Sequence, residues 1–150
     1  MTTLDRTSVE GRRSYPPRVS AFTRTFWEGL GQGRWQTTCC QECGRQTFPP
    51  KPVCPHCWST SVEWSELAAR GTLYSWTRIH AAPTAFAGET PYAVGIVDLD
   101  SGIRLACRLI DGPGLKPGLP VEMTVLQFED GPLFAARPLH PTTEGAQHAR

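Results

Sequence analysis

The sequence predicts a mostly β chain in three parts: a short N-terminal helix, a metal-held ribbon and a five-stranded barrel of the OB type. Three observations predict it. Phe22, Phe26, Trp27 and Leu30 recur at helical spacing. Two C-x-x-C steps follow in a proline-crowded stretch. Beyond them, roughly seventy residues hold short runs rich in β-branched and aromatic side chains, separated by turn signals, as a small barrel requires.

Residues 1–19 are polar, contain Pro16 and Pro17 and lack apolar periodicity, which predicts a disordered or partner-ordered arm. The helix is expected within residues 20–34, with Ser20 as its N-cap and Gly29, Gly31 and Gly33 ending it. So short a helix is unstable alone, and its aromatic face must pack on its own domain or on a partner. Residues 35–65 form the ribbon. Pro49, Pro50, Pro52 and Pro55 exclude long helices there.

The barrel is expected over residues 66–138. Its strands are Gly71–His80, Tyr92–Asp98, Ile103–Ile110, Val121–Phe128 and Leu133–Arg137. In the third, Ile103, Leu105, Cys107 and Leu109 share one face, and Arg104 and Arg108 the other. Asp100-Ser101-Gly102 is a hairpin signal, Asp130-Gly131-Pro132 is a turn, and the fourth strand changes phase at Leu126. Residues 139–150 read as a frayed tail.

Charge is nearly balanced, with 15 Lys+Arg against 14 Asp+Glu and a formal net of +1. Nucleic-acid binders show a basic excess, so this balance weighs against a polyanion partner. No long apolar run spans a membrane, and the N-terminus lacks the apolar core of a secretory signal, which predicts a cytoplasmic protein. Without such a signal, six cysteines do not read as a disulfide framework.

Cys40, Cys43, Cys54 and Cys57 instead read as one zinc site of a rubredoxin-like ribbon. Each C-x-x-C step is a tight turn presenting two thiolates, and two facing turns make the tetrahedral cage zinc prefers. Gly44 and Pro55 supply the turn chemistry. Four thiolates leave no open position, so the metal is structural. An iron–sulfur cluster is the rival occupant. Cys39 is spaced less aptly, and Cys107 reads as a small core hydrophobe.

The order of motifs resembles a known family. Phe26-Trp27-Glu28-Gly29-Leu30 precedes C-x-x-C-G, then come Phe48-Pro49-Pro50 and the C-P-x-C knuckle, then Gly71-Thr72-Leu73-Tyr74-Ser75-Trp76-Thr77 and Pro91-Tyr92-Ala93-Val94. Over residues 20–138 the chain resembles the zinc-ribbon plus OB-fold acyl-CoA-associated proteins of the DUF35 type. The resemblance implies a non-catalytic subunit of a hetero-oligomer with a thiolase-like, acyltransferase or aldolase-type enzyme. It also implies docking through the helix and ribbon, and a barrel surface for acyl-CoA.

Candidate contacts for CoA or partner are Phe26 and Trp27 on the helix, and Trp76, Arg78 and His80 at the end of one strand. Phe86 in the following loop is a partner anchor or a lid, and Arg104 and Arg108 suit phosphate. Each has a plain alternative: packing for the aromatics, solvation for the charges. No Ser-His-Asp, HExxH or phosphate-loop pattern points to an independent enzyme, leaving His80 as the one candidate acid or base. A single-stranded nucleic-acid binder is the alternative reading, since ribbons and OB-folds both serve that role.

Overall fold

A computed structural model describes residues 2–110, 112 and 114–139. Strand β1 (Arg6–Ser8) precedes helix α1 (Arg24–Gly31). Strands β2 (Gln36–Cys40), β3 (Gln46–Thr47) and β4 (Val62–Glu66) form the ribbon sheet in the order β3-β2-β4. Strands β5 (Arg70–Ile79), β6 (Tyr92–Leu99), β7 (Arg104–Leu109), β8 (Pro120–Phe128) and β9 (Gly131–Pro138) form the barrel.

Antiparallel pairing joins β5 to β6, β6 to β7, β8 to β9 and β5 to β8. A short parallel contact between β7 and β9 closes the cycle. This is the expected five-stranded OB barrel. Its interior is the inner face of the alternating strands, with Leu73, Val97, Val121 and Val125 fully buried. In β7, Leu105, Cys107 and Leu109 face in and Arg104 faces out, as alternation requires. Burial pushes the Cys107 thiol up to about 12, as expected for an inert core residue. At Gly71, a β-carbon would lie 2.3 Å from the Asp98 carbonyl oxygen, so only glycine allows β5 and β6 to approach there.

The N-terminal arm departs from expectation. Residues 6–8 are a strand and not a disordered segment: Arg6, Thr7 and Ser8 pair in parallel with Val125, Leu126 and Gln127 of β8. Strand β5 covers only Pro120–Glu122 on that edge of β8, so the arm continues the edge where β5 has left it. Open strand edges leave unsatisfied amides and carbonyls, and the arm satisfies them. Leu4 anchors it, 4% exposed and in the common core, and its amide donates to the Gly33 carbonyl at 2.8 Å.

Helix α1 is shorter than residues 20–34. Its N-cap is Thr23, not Ser20. The Ser20 hydroxyl instead accepts from the Thr23 amide at 3.1 Å, while the Thr23 hydroxyl accepts from the Ser20 amide at 2.9 Å, forming a reciprocal turn before the helix. Gly29 and Gly31 lie inside the helix, and Gly29 lets it settle closely on Gln36 of β2. Phe26 and Leu30 point into the core shared with Trp35 and the barrel, so the aromatic face packs on its own chain. Ribbon and barrel are joined at Trp35, whose indole donates to the Ala68 carbonyl at 3.0 Å. The tail expected over residues 139–150 lies, from residue 140 onward, outside the described residues. No described helix is long and apolar enough to cross a membrane.

Candidate metal centre and adjoining cleft

The two C-x-x-C steps are turns built on one plan. In the first, Cys40 donates its amide to the Arg45 carbonyl, and its carbonyl accepts from Gly44 at 2.9 Å. In the second, Cys54 donates to the Ser59 carbonyl, and its carbonyl accepts from Trp58 at 2.9 Å. The residue after each second cysteine has positive φ: Gly44 at 76° and Trp58 at 65°. Glycine adopts that region freely, whereas a residue with a β-carbon gives up roughly 1–2 kcal/mol there.

These turns bring the four sulfurs within 4.8 Å of one another. Cys40 Sγ lies 3.5 Å from Cys57 Sγ, and Cys43 Sγ lies 3.6 Å from Cys54 Sγ. A zinc tetrahedron with Zn–S near 2.3 Å sets sulfurs about 3.8 Å apart, so the cage fits one zinc ion. Both separations are far beyond a disulfide bond of about 2.05 Å. Backbone amides also aim at the cage: Cys43 N–H donates to Cys40 Sγ and His56 N–H to Cys54 Sγ, each at 3.4 Å. The Cys43 amide leads in lowering the Cys40 thiol to about 6. At Cys57 the lowering by the Ser59 amide is outweighed by Cys40, burial and the other thiols, which push it up to about 12. Four thiolates this close do not ionise together without a cation among them, and zinc supplies that charge. Cys39 lies outside the cage, with its thiol donating weakly to the Gly44 carbonyl at 3.6 Å.

The remaining candidate residues do not converge. The ladder shifts register between Leu73 and Ser75, a bulge at Tyr74. Beyond it, Trp76 and Arg78 stand opposite Gly95 and Ala93, and through β6 opposite Cys107 and Leu109. They therefore share the inner face at the barrel's end, where Trp76 packs against the core. His80 is exposed just past β5. Arg104 and Arg108 lie on the outer face. Simple alternation hides this separation, because a bulge reverses which face a strand's later residues occupy.

Both outer arginines already have partners. Arg104 makes a bidentate ion pair with Asp98 at 2.6 and 3.0 Å and lies over the Tyr74 ring at 3.9 Å. Arg108 meets Glu89 at 3.2 Å and lies over Tyr92 at 4.0 Å. Glu89 ends a 3₁₀ turn (Thr84–Glu89). Phe86 in that turn is half-buried between Tyr15 and Tyr92, at 6.3 Å from each ring.

An apolar cleft of about 540 Å³ opens where helix, ribbon and barrel meet. Trp27, Phe48, Pro50, Ala106 and Phe134 line it, and Arg104 stands on its rim. Phe26 contributes from beneath, 3% exposed. Ala106 and Phe134 also line a second cavity of about 190 Å³ reaching Tyr15 and Phe86, so the two adjoin. Phe48 enters the sequence reading only through the Phe48-Pro49-Pro50 motif, and neither it nor Phe134 is among the candidate contacts. Only the tertiary fold joins them.

Comparison with known proteins matches this architecture. Residues 27–63 match the family described as "ChsH2, rubredoxin-like zinc ribbon domain", and residues 64–126 match "ChsH2, C-terminal OB-fold domain". A "DUF35 domain-containing scaffold protein" of Methanocaldococcus jannaschii is 33% identical over 99 residues, 61% of this chain and 68% of the relative. "Benzoylsuccinyl-CoA thiolase subunit BbsA" of Thauera aromatica is 34% identical over 92 residues, 61% of this chain and 62% of the relative. The chain spans only 41% of the longer "Probable enoyl-CoA hydratase alpha subunit" of Thermomonospora curvata, to which it is 35% identical over 136 residues. Among solved structures, a chain of "Ltp2-ChsH2(DUF35) aldolase" superposes with a TM-score of 0.71 at 32% identity, over 82% of this chain and 98% of that one. With a four-thiolate zinc ribbon, an OB barrel and these relatives, the chain belongs to the DUF35 family.

Proposed function

We propose that this chain is a non-catalytic accessory subunit of a thiolase-like or aldolase-type acyl-CoA enzyme, docking through its ribbon and lending its barrel to the thioester. The observation that carries this reading is the likeness to the ChsH2 chain of an aldolase assembly, which extends over nearly all of that chain. A relative that is itself named a thiolase subunit adds support. The closed thiolate cage gives zinc the role of a fastener with no coordination position for substrate. Phe26 and Leu30 of α1 are consumed by its own core, so the helix offers a partner Arg24 and Glu28 on its outer side, and Trp27 where it lines the cleft.

The aromatic cleft suits the acyl or pantetheine part of a thioester, being concave, largely apolar and charged only at its rim. A phosphate group would have to compete with Asp98 for Arg104.

Co-expression with a thiolase-like or aldolase-type subunit from the same genome tests the reading. The two should co-purify, and the enzyme's turnover of its acyl-CoA should depend on this chain. Separate elution, with full enzyme activity in its absence, would refute the proposal.

A further inference from the structure

The two zinc knuckles share one backbone plan but present different surfaces. The Cys40–Cys43 knuckle ends in Gly44, which costs nothing at positive φ. The Cys54–Cys57 knuckle places Trp58 at the matching position, with φ 65° and its side chain 80% exposed. Val53, on the other flank of that knuckle, is exposed as well. Glycine satisfies the same turn without strain, as the sister knuckle demonstrates, and among the described residues the ring-to-ring contacts form without the Trp58 indole. A bulky apolar residue held in a disfavoured backbone conformation, turned to solvent on a metal-stiffened turn, is pre-organised for binding.

We infer that Trp58 is the anchor by which the ribbon engages an apolar pocket on the enzyme subunit. This rests on the accessory-subunit reading above. Tryptophan is the residue type most enriched at interface hot spots, because a rigid indole buries a large area with little entropy lost. Trp58 directly follows Cys57, one of the four cage thiols that fix the turn, so the ring is presented without a folding step at the interface. Val53 extends the contact along the same knuckle.

Two variants separate binding from strain. Trp58→Ala keeps a β-carbon at positive φ and removes the ring. Trp58→Gly removes both. Each should weaken the complex with the thiolase-like or aldolase-type subunit by about tenfold or more, read by calorimetry or by surface binding. Only Trp58→Gly should raise the thermal midpoint of the isolated zinc-loaded chain, by roughly 2–4 °C. Wild-type affinity in both variants overturns the inference while leaving the accessory role intact. Absence of a stabilising effect in Trp58→Gly removes its premise and overturns it too. Failure of the wild-type chain to bind the enzyme overturns the accessory role first, and the anchor with it. If the isolated chain is dimeric and both variants are monomeric with unchanged enzyme binding, the ring serves a second copy of this chain and the inference is wrong.

Discussion

The barrel buries Leu73, Val97, Val121 and Val125 completely between facing strands, whereas the ribbon buries Thr37, Thr38, Cys40 and Cys54 between three short ones. Each apolar side chain withdrawn from water contributes about 1.5–3 kcal/mol, and the barrel has many. The ribbon's buried polar residues contribute mainly by satisfying backbone. The Thr37 hydroxyl donates to the Thr47 carbonyl, and the Thr38 hydroxyl accepts from the Lys51 amide at 3.0 Å. Such bonds specify a shape but add little net stability. One half of the molecule is therefore held by area, the other by metal.

Removing zinc is the largest perturbation that separates the two. Structural zinc sites in small domains carry apparent binding energies of about 10–16 kcal/mol at neutral pH. Chelation, or Cys54→Ser, should abolish amide-exchange protection over residues 36–66 and leave β5–β9 protected. Simultaneous loss of protection in both halves would show that Trp35 and Phe48 couple them into one cooperative unit, and would end the distinction.

The same contrast explains what was legible in the sequence. The metal centre was readable to the residue, because C-x-x-C chemistry is local and each turn carries its own Gly or Pro signal. The barrel strands were readable because alternation and turns are local too: Asp100-Ser101-Gly102 does close the hairpin, with Gly102 donating to the Leu99 carbonyl. Strand β1 was not. Arg6, Thr7 and Ser8 are polar and exposed, with no period to read, and they form a strand only because β8 offers an unpaired edge some 120 residues later. The bulge at Tyr74 was hidden for a similar reason. Its effect is to turn Trp76 inward, and nothing within β5 alone signals that the register with β6 shifts. The aromatic cleft needs three elements at once, and nothing in the sequence singles out Trp58, whose positive φ belongs to the folded knuckle.

The arm provides the second test. It belongs to the barrel by burial and not to solvent. Leu4→Ala should destabilise the barrel by about 2–4 kcal/mol, the usual result of truncating a fully buried leucine. Thr7→Ala, on the exposed part of the same strand, should stay within about 0.5 kcal/mol of wild type. Urea denaturation of the zinc-loaded protein measures both. Equal, small effects would return the arm to the status of a loose appendage.

Charge makes a smaller contribution to holding that arm, and pH isolates it. Asp130, at the β8–β9 turn, accepts from the Arg13 amide at 2.8 Å, and Arg13 Nε lies 3.4 Å from its other oxygen. The Arg13 guanidinium also donates to the carbonyls of Asp130 and Pro132, at 2.7 and 3.2 Å. The amide, aided by the guanidinium, holds the Asp130 carboxyl below the usual carboxylate range. A carboxyl whose folded pKa is depressed binds fewer protons in the native state than in the unfolded one. Its stabilisation is therefore complete above the unfolded value of about 3.9, and is lost as pH falls through the folded value. Asp130→Asn keeps an acceptor for the Arg13 amide but has no charge to lose. The difference in thermal midpoint between wild type and Asp130→Asn should be constant from neutrality to about pH 5 and close below about pH 4. A difference that persists unchanged into acid would mean that hydrogen bonding alone ties the arm at this turn. Burial at Leu4 would then be the main force holding residues 2–13 to the barrel.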